Sequence, residues 1–225
     1  DQVEGQGFYK MPESNDGDLF FDNPELAWWF YGHRFNLYRA TQPHEGYHLL
    51  NKLSLRKPTF VFTSNVDGHF QRSGFSRDKI IECHGSINHL QCSYGCSDSI
   101  WKITTLPFKT VDQTLSILGS YPRCPNCGGM ARPNILMFND NWWLSHRTRQ
   151  QESIFHLWLD RHCGKKIVAI ELGAGTAIAS VRIACLHNAK NLIRINPTDC
   201  HVSKGQIAIK VPALAALSAI DNLLA

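Results

Sequence analysis

No stretch of this 225-residue chain approaches the roughly 18 consecutive apolar residues of a membrane-spanning helix. The sequence therefore offers no candidate span. No run of lysine and arginine occurs, and the formal net charge is only +4. A nucleic-acid partner is accordingly not expected, since scattered basic residues read as a solvated surface. Internal repeats and low-complexity tracts are also missing. The opening residues, DQVEGQGFYK, are polar and show no signal-peptide pattern. Four of the eight cysteines, Cys83, Cys163, Cys185 and Cys200, have no paired spacing and are expected as buried free thiols. This is not a disulfide scaffold, and a reducing, cytoplasmic setting is the expectation. What remains, with 43% hydrophobic and 19% charged residues, fits one globular domain or one domain with a small insert.

The other four cysteines are the most informative feature present. Cys92 and Cys96 form a C-x3-C pair, Cys124 and Cys127 a C-x2-C pair, and 27 residues separate the two. Each pair lets two thiolates of one tight loop point at one centre, and a folded insert can bring both pairs around a tetrahedral Zn²⁺. Four protein ligands leave no open position, so the expected metal is structural, one per chain. Gly95, Pro125, Gly128 and Gly129 supply the turns such loops need, which argues against four unrelated thiols. Four thiolates on one divalent cation carry a net −2, lowering the balance of the chain to about +2.

Along the chain, residues 1–22 are rich in Gly, Asn and Asp and read as a loop. Over 24–55, Leu26, Trp29, Phe30, Phe35, Leu37 and Tyr38, then Leu49, Leu50 and Leu53, follow helical spacing, with Pro43 expected in the first turn of the second helix. Short apolar runs at 59–63, 80–83, 135–138, 167–172 and 191–195, and a weaker one at 206–210, read as buried parallel strands. Helical stretches at 148–162 and 178–188 alternate with them, and 214–224 reads as a closing amphipathic helix. The expected fold class is α/β: a doubly wound, Rossmann-like parallel sheet with a small inserted zinc-binding module. The expected boundaries are 1–88 and 131–225 for the sheet domain and 89–130 for the module. Polar residues follow the strand ends: Asn65 and Asp67, His84, Asn139 and Asp140, residues 173–176, and Asn196. Ligands of open α/β sheets bind outside those ends, so the five sets together predict one cleft.

Thr63-Ser64-Asn65-Val66-Asp67-Gly68, then Glu82-Cys83-His84-Gly85-Ser86, the two cysteine pairs, Arg132-Pro133-Asn134-Ile135-Leu136-Met137-Phe138, the loop Gly173-Ala174-Gly175, and Ile195-Asn196 resemble the sirtuins in order and spacing. These are the Sir2-type NAD-dependent protein deacylases. Each piece alone is weak, but the set is specific and covers nearly the whole chain. TSNVDG, ECHGS, ELGAGT and RINP resemble a bacterial subgroup most. The resemblance implies a protein-lysine deacylase, first of all a deacetylase, that consumes NAD and an acyl-lysine protein or peptide. The acyl oxygen would attack C1′ of the nicotinamide ribose, and the products would be nicotinamide, free lysine and O-acyl-ADP-ribose. His84 would be the general base, a role suited to a group with an ordinary pKa near 6.5. Asn65 would contact the nicotinamide ribose and order the reacting water, Asp67 would hold the carboxamide, and Val66 would line that pocket. Gly173, Ala174, Gly175, Thr176 and Asn196 would border the ADP half. Leu136, Met137 and Phe138 would line the acyl-lysine channel, with the peptide adding as a strand. Without the resemblance, His84 is equally a polar residue at a strand end, and Asn65 and Asp67 a turn before Gly68.

Several positions depart from the family pattern. Ser64 stands where the family has glutamine, and Gly173-Ala174-Gly175 where it has Gly-Thr-Ser, leaving Thr176 as the nearest hydroxyl. Asn139-Asp140 replaces Gly-Glu. Sirtuins also begin with a strand and a G-A-G…D-F-R segment. Here Gly7-Phe8-Tyr9 matches the G-F-W that follows it, and Gln2 and Val3 fall where Phe and Arg belong. The expectation is that this sequence starts inside the full protein, because a sheet without its first strand would have a central hole. An NAD hydrolase or ADP-ribosyltransferase of the same type, or a non-catalytic NAD- or ADP-ribose-binding protein, stays open on these residues.

Overall fold

Helices and short strands alternate along the chain as the apolar spacing requires. The computed structural model describes residues 17–224. In chain order the elements begin with helices α1 (Leu19–Asp22), α2 (Pro24–Ala40) and α3 (Glu45–Arg56). Strand β1 (Val61–Thr63), helix α4 (His69–Arg72), β2 (Ile80–Glu82) and β3 (Gly85–Cys92) follow. Next come β4 (Ile100–Lys102), β5 (Phe108–Val111), β6 (Ser116–Gly119) and β7 (Ala131–Ile135). Then α5 (His146–Arg161), β8 (Val168–Leu172), α6 (Ser180–Asn188), β9 (Asn191–Ile195), β10 (Ile207–Ile209) and α7 (Ala213–Leu224) complete it. Two compact units result: the described residues up to Leu37 with Ile87–Leu144, and Tyr38–Ser86 with the described residues from Ser145 onward. No helix among the described residues is long and apolar enough to cross a membrane.

The first unit gathers the cysteine insert together with residues 17–37 and 131–144. The reason is aromatic packing. Pro24 opens α2 at a position where its missing N–H costs nothing, and the Asn23 side chain accepts from Leu26 N at 3.1 Å. The helix then buries Trp28, Trp29, Tyr31 and Phe35. Trp28 donates to Ala131 O (3.1 Å) and lies edge-on to Phe108 at 5.6 Å, while Trp29 donates to Asp112 Oδ1 at 3.1 Å. Gly32 is required here, since a Cβ would stand 2.6 Å from the Phe108 ring. The loop expected over 1–22 needs correction within the described part: Leu19–Asp22 is a helical turn pinned by fully buried Phe20, stacked 5.6 Å from Tyr31. Three strands form a sheet in the order β4-β3-β7, and β5 pairs with β6 as a hairpin.

The second unit carries the parallel strands. β1 pairs with β2 (Val61↔Ile80 to Thr63↔Glu82), and β8, β9 and β10 form a second sheet in which Leu172 faces Ile195 and Ile195 faces Ile209. Parallel pairing and alternating helices agree with the expected α/β class. Among the described residues these parallel strands are hydrogen-bonded as two sheets, β1-β2 and β10-β9-β8. Val61, Phe75 and Ile80 make a core with Leu50 and Phe70 against them, and Phe60 meets Phe155 and Trp158 of α5 at 4.9 and 5.8 Å. Pro43 lies outside helix α3, two residues before its first residue Glu45 and not in its first turn; His44 is the cap, accepting from Gly46 N at 3.0 Å through Nδ1.

One expected strand is displaced. Of the expected strand 135–138 only Ile135 is in a strand, the last residue of β7 (Ala131–Ile135), which lies beside β3 in the first unit and not with the parallel strands of the second. All five residues of β7 are buried, whereas Leu136 and Phe138 are exposed. The amide of Met137 donates to Asp140 Oδ2 at 3.3 Å instead of joining a ladder. Asn139 and Asp140 therefore do not follow a parallel strand as the apolar run suggested. The expected match at Gly7-Phe8-Tyr9 and the assignments of Gln2 and Val3 lie outside the described residues.

Candidate functional site

In the first unit, the four paired cysteines converge. Their sulfurs all lie within 4.8 Å of one another, with Cys92 Sγ 3.7 Å from Cys127 Sγ and Cys96 Sγ 3.5 Å from Cys124 Sγ. Sulfurs held about 2.3 Å from one zinc in a tetrahedron stand about 3.8 Å apart, so the set fits that ion. The turns are those the glycines promised: Gly95 and Gly128 take φ of 62° and 70°, which disfavours any side chain. Cys124 N donates to Gly129 O (2.7 Å) and Gly128 N to Cys124 O (2.9 Å), closing the second loop. Asn126 Nδ2 and Gly129 N point at Cys96 Sγ and Cys127 Sγ, each at 3.4 Å. Such N–H···S contacts orient thiolate ligands. The remaining four cysteines are free, as expected, but Cys163 is exposed and Cys83, Cys185 and Cys200 only half-buried. Burial raises Cys83 to about 12, which makes it an inert thiol.

Residues 136–138 sit in the same unit on a loop built by buried polar groups. The side chains of Arg132 and Asp140 are both fully buried and paired with each other. Arg132 also donates to Ile135 O at 3.1 Å, and Asp140 Oδ1 accepts from Trp142 N at 3.0 Å. Gln91 donates to Trp142 O (2.7 Å) and accepts from Asn134 Nδ2 (2.8 Å) and Leu144 N (3.0 Å). Asn139 adopts φ of 51°, a left-handed turn that asparagine tolerates well. The result presents Leu136, Phe138 and Trp142 outward and Met137 inward.

In the second unit the polar residues at strand ends fall into two groups, one after β1 and β2 and one after β8 and β9, while Asn139 and Asp140 belong to the first unit. The register places the ends of β1 and β2 side by side, so that Ser64-Asn65 and Cys83-His84 leave the sheet together. Asn65 is exposed, with its N–H bonded to Thr63 Oγ1 (3.1 Å) and its amide 3.5 Å from Tyr47 OH. Burial, followed by the Asp67 charge, raises Tyr47 to about 12, so it stays a neutral phenol. Asp67 accepts from His69 N at 2.8 Å, and Gly68 turns at φ 78°. That is the Asx turn the residue types alone suggested. His84 is half-buried, and desolvation lowers its pKa below the usual 6.5. Its Nε2 lies 3.2 Å from Ser180 Oγ at the start of α6.

Beyond β8, Gly173 turns at φ 60°, and among the described residues no heavy atom lies within 4 Å of a would-be Cβ at Gly173 or Gly175. Their backbone is therefore open to a ligand, which fits the close approach a dinucleotide makes. Asn196, at the end of β9, donates to Ala174 O (3.2 Å), and its Oδ1 accepts from Thr198 N and Asp199 N at 3.0 and 2.9 Å. Ser64 and Thr176 lie on the same loops, half-buried and exposed.

Four residues of this second unit were not singled out from sequence: Ser180, Arg182, Glu171 and Arg194. Glu171 and Arg194 face each other across β8 and β9 and make a two-pronged ion pair at 2.6 and 2.9 Å. The available signal was one charge of each sign inside VAIEL and NLIRI, two strands otherwise apolar.

Residues 4–156 match the family model described as Sir2 family. The chain is 29% identical over 197 residues to an NAD-dependent protein deacylase of Aquifex aeolicus, covering 87% of this chain and 74% of that protein. It is 28% identical over 185 residues to an NAD-dependent protein deacylase of Aeropyrum pernix, covering 80% of this chain and 66% of that protein. Among solved structures, a mutant Sir2 homologue in complex with ADP-ribose matches with a TM-score of 0.65 at 18% identity, over 91% of this chain and 76% of that one. Sir2 bound to acetylated peptide matches with a TM-score of 0.63 at 19% identity, over 92% and 81%. At such identities the structural likeness establishes the fold.

Proposed function

The chain belongs to the Sir2 family, and from that premise we propose that it serves as an NAD-dependent protein-lysine deacylase acting on acetyl-lysine. When bound, NAD supplies an electrophilic ribose carbon with nicotinamide as its leaving group. The residues of this chain do the rest. Gly173 and Gly175 admit the dinucleotide against bare backbone, and Asn196 fixes the loop that carries them. Asn65, exposed at the end of β1, offers an amide to the nicotinamide ribose. Asp67 offers a carboxylate oxygen to the carboxamide while the other accepts from His69 N. His84 takes a proton from a ribose hydroxyl and returns it; its lowered pKa keeps the ring uncharged near neutrality. Leu136, Met137 and Phe138 would line the acyl-lysine channel. In the first unit the zinc held by Cys92, Cys96, Cys124 and Cys127 would be structural, since no ligand position is left over for chemistry.

The observation that carries this reading is α6. One helix start places Ser180 beside His84 and Arg182 beside the open glycine loop, so the base and the dinucleotide loop share one support. His84→Ala tests it. Loss of a positioned general base costs about 10²–10⁴-fold, read as O-acetyl-ADP-ribose formed from an acetyl-lysine peptide and NAD by mass spectrometry. Equal rates in parent and variant would refute the role. Peptide-independent release of nicotinamide would replace the deacylase reading with an NAD hydrolase.

A further inference from the structure

We infer that Arg182 is a positioning residue for the dinucleotide: its guanidinium fixes the carbonyl of Ala174 and thereby aims the Gly175 N–H at the ADP-ribosyl group. The inference rests on the NAD reading above. The loop of residues 173–175 has no side-chain hydroxyl with which to hold itself or a ligand, so its backbone must be set from outside. Arg182 does this with two prongs, Nε at 3.1 Å and Nη2 at 2.8 Å from Ala174 O, and Asn196 Nδ2 adds a third donor at 3.2 Å. A carbonyl offers two lone pairs, and three converging donors leave it no freedom to turn. The peptide group is planar, with its N–H opposed to its C=O. Fixing the Ala174 carbonyl therefore fixes the Gly175 N–H on the opposite side of the peptide, in a loop whose Gly173 and Gly175 Cβ positions are clear of other described residues.

Arg182 is itself held from beneath. Its Nη2 also donates to Asp199 O at 2.8 Å, and its Nε lies 3.9 Å from Glu171 Oε1. Glu171 is fully buried, already engaged by both prongs of Arg194, and the hydrogen bonds that Arg194 donates to it raise the Arg194 pKa further. Two guanidinium groups share one carboxylate, so the cluster keeps one net positive charge under the loop. That sign suits a diphosphate. A lysine at 182 would keep the charge and lose the fork, which separates the two contributions.

Isothermal calorimetry with ADP-ribose on the unaltered chain and on Arg182→Lys tests the inference. Loss of charge-assisted hydrogen bonds that orient the loop predicts an affinity weaker by about 10-fold or more, with the melting temperature held. In turnover, the KM for NAD should rise while the KM for acetyl-peptide stays put. ADP-ribose should also shift the Gly175 amide resonance of the unaltered protein, a readout that does not depend on the variant's folding. Equal ADP-ribose affinity in a folded Arg182→Lys, or a Gly175 amide that does not move in the liganded parent, overturns the inference and leaves the NAD reading intact. No binding of ADP-ribose by the parent overturns both.

Discussion

His84 shows how burial alone prepares a base. Desolvation disfavours the imidazolium, so the ring stays neutral to a lower pH than a free histidine would. A base must be unprotonated to work, so the acid limb of kcat/KM should have its midpoint below the ordinary 6.5. A midpoint above 7 would mean that another group controls the limb. Asp140 makes the opposite case, a charge kept buried because its partner is buried too. With Asp140→Ala the Arg132 guanidinium would be left without its counter-charge at 0% exposure, a loss of about 3–5 kcal/mol. Urea unfolding would read this as a lower midpoint; an unchanged midpoint would mean that water reaches Arg132. Arg182 was illegible in the sequence for a plain reason. An arginine on an amphipathic helix looks solvated until the loop that folds over it is known.

At the scale of elements, legibility followed local chemistry. Strand β9 lies at 191–195 as the apolar run between polar ends indicated, and β8 differs from expectation by one residue. The run at 135–138 misled because Ile-Leu-Met-Phe is apolar in either a buried strand or an exposed loop lining a surface. Only the side chains of Arg132 and Asp140, far apart in pattern but paired in space, decide it. Helix α1 was invisible because a single turn has no periodicity to detect. The cysteine loops were fully legible, since two short spacings and their glycines determine where the sulfurs can go. Metal binding there is folding energy. Elemental analysis should find one zinc per chain, and Cys124→Ala should lose it together with the thermal transition of the first unit. Well under one zinc per chain in freshly purified protein would contradict the assignment.

For the molecule as a whole, two histidines tie stability to pH in the same direction. Burial lowers the pKa of both His84 and His44, and His44 additionally uses Nδ1 as an acceptor to cap α3. Between the unfolded value of 6.5 and the lower folded values, the unfolded chain binds more protons, so stability is complete above 6.5 and is lost as pH falls. The melting temperature should therefore decline from pH 7 to pH 5, and the His44→Gln variant should decline less steeply. A flat profile would show that neither ring is desolvated in solution. The central claim concerns the reaction, and one measurement bears on it most directly. Incubating the protein with NAD and an acetyl-lysine peptide, then resolving products by mass spectrometry, should give deacetylated peptide, nicotinamide and O-acetyl-ADP-ribose in equal amounts. Deacetylated peptide with free acetate and no NAD consumed, or NAD consumed with the peptide unchanged, would contradict the account.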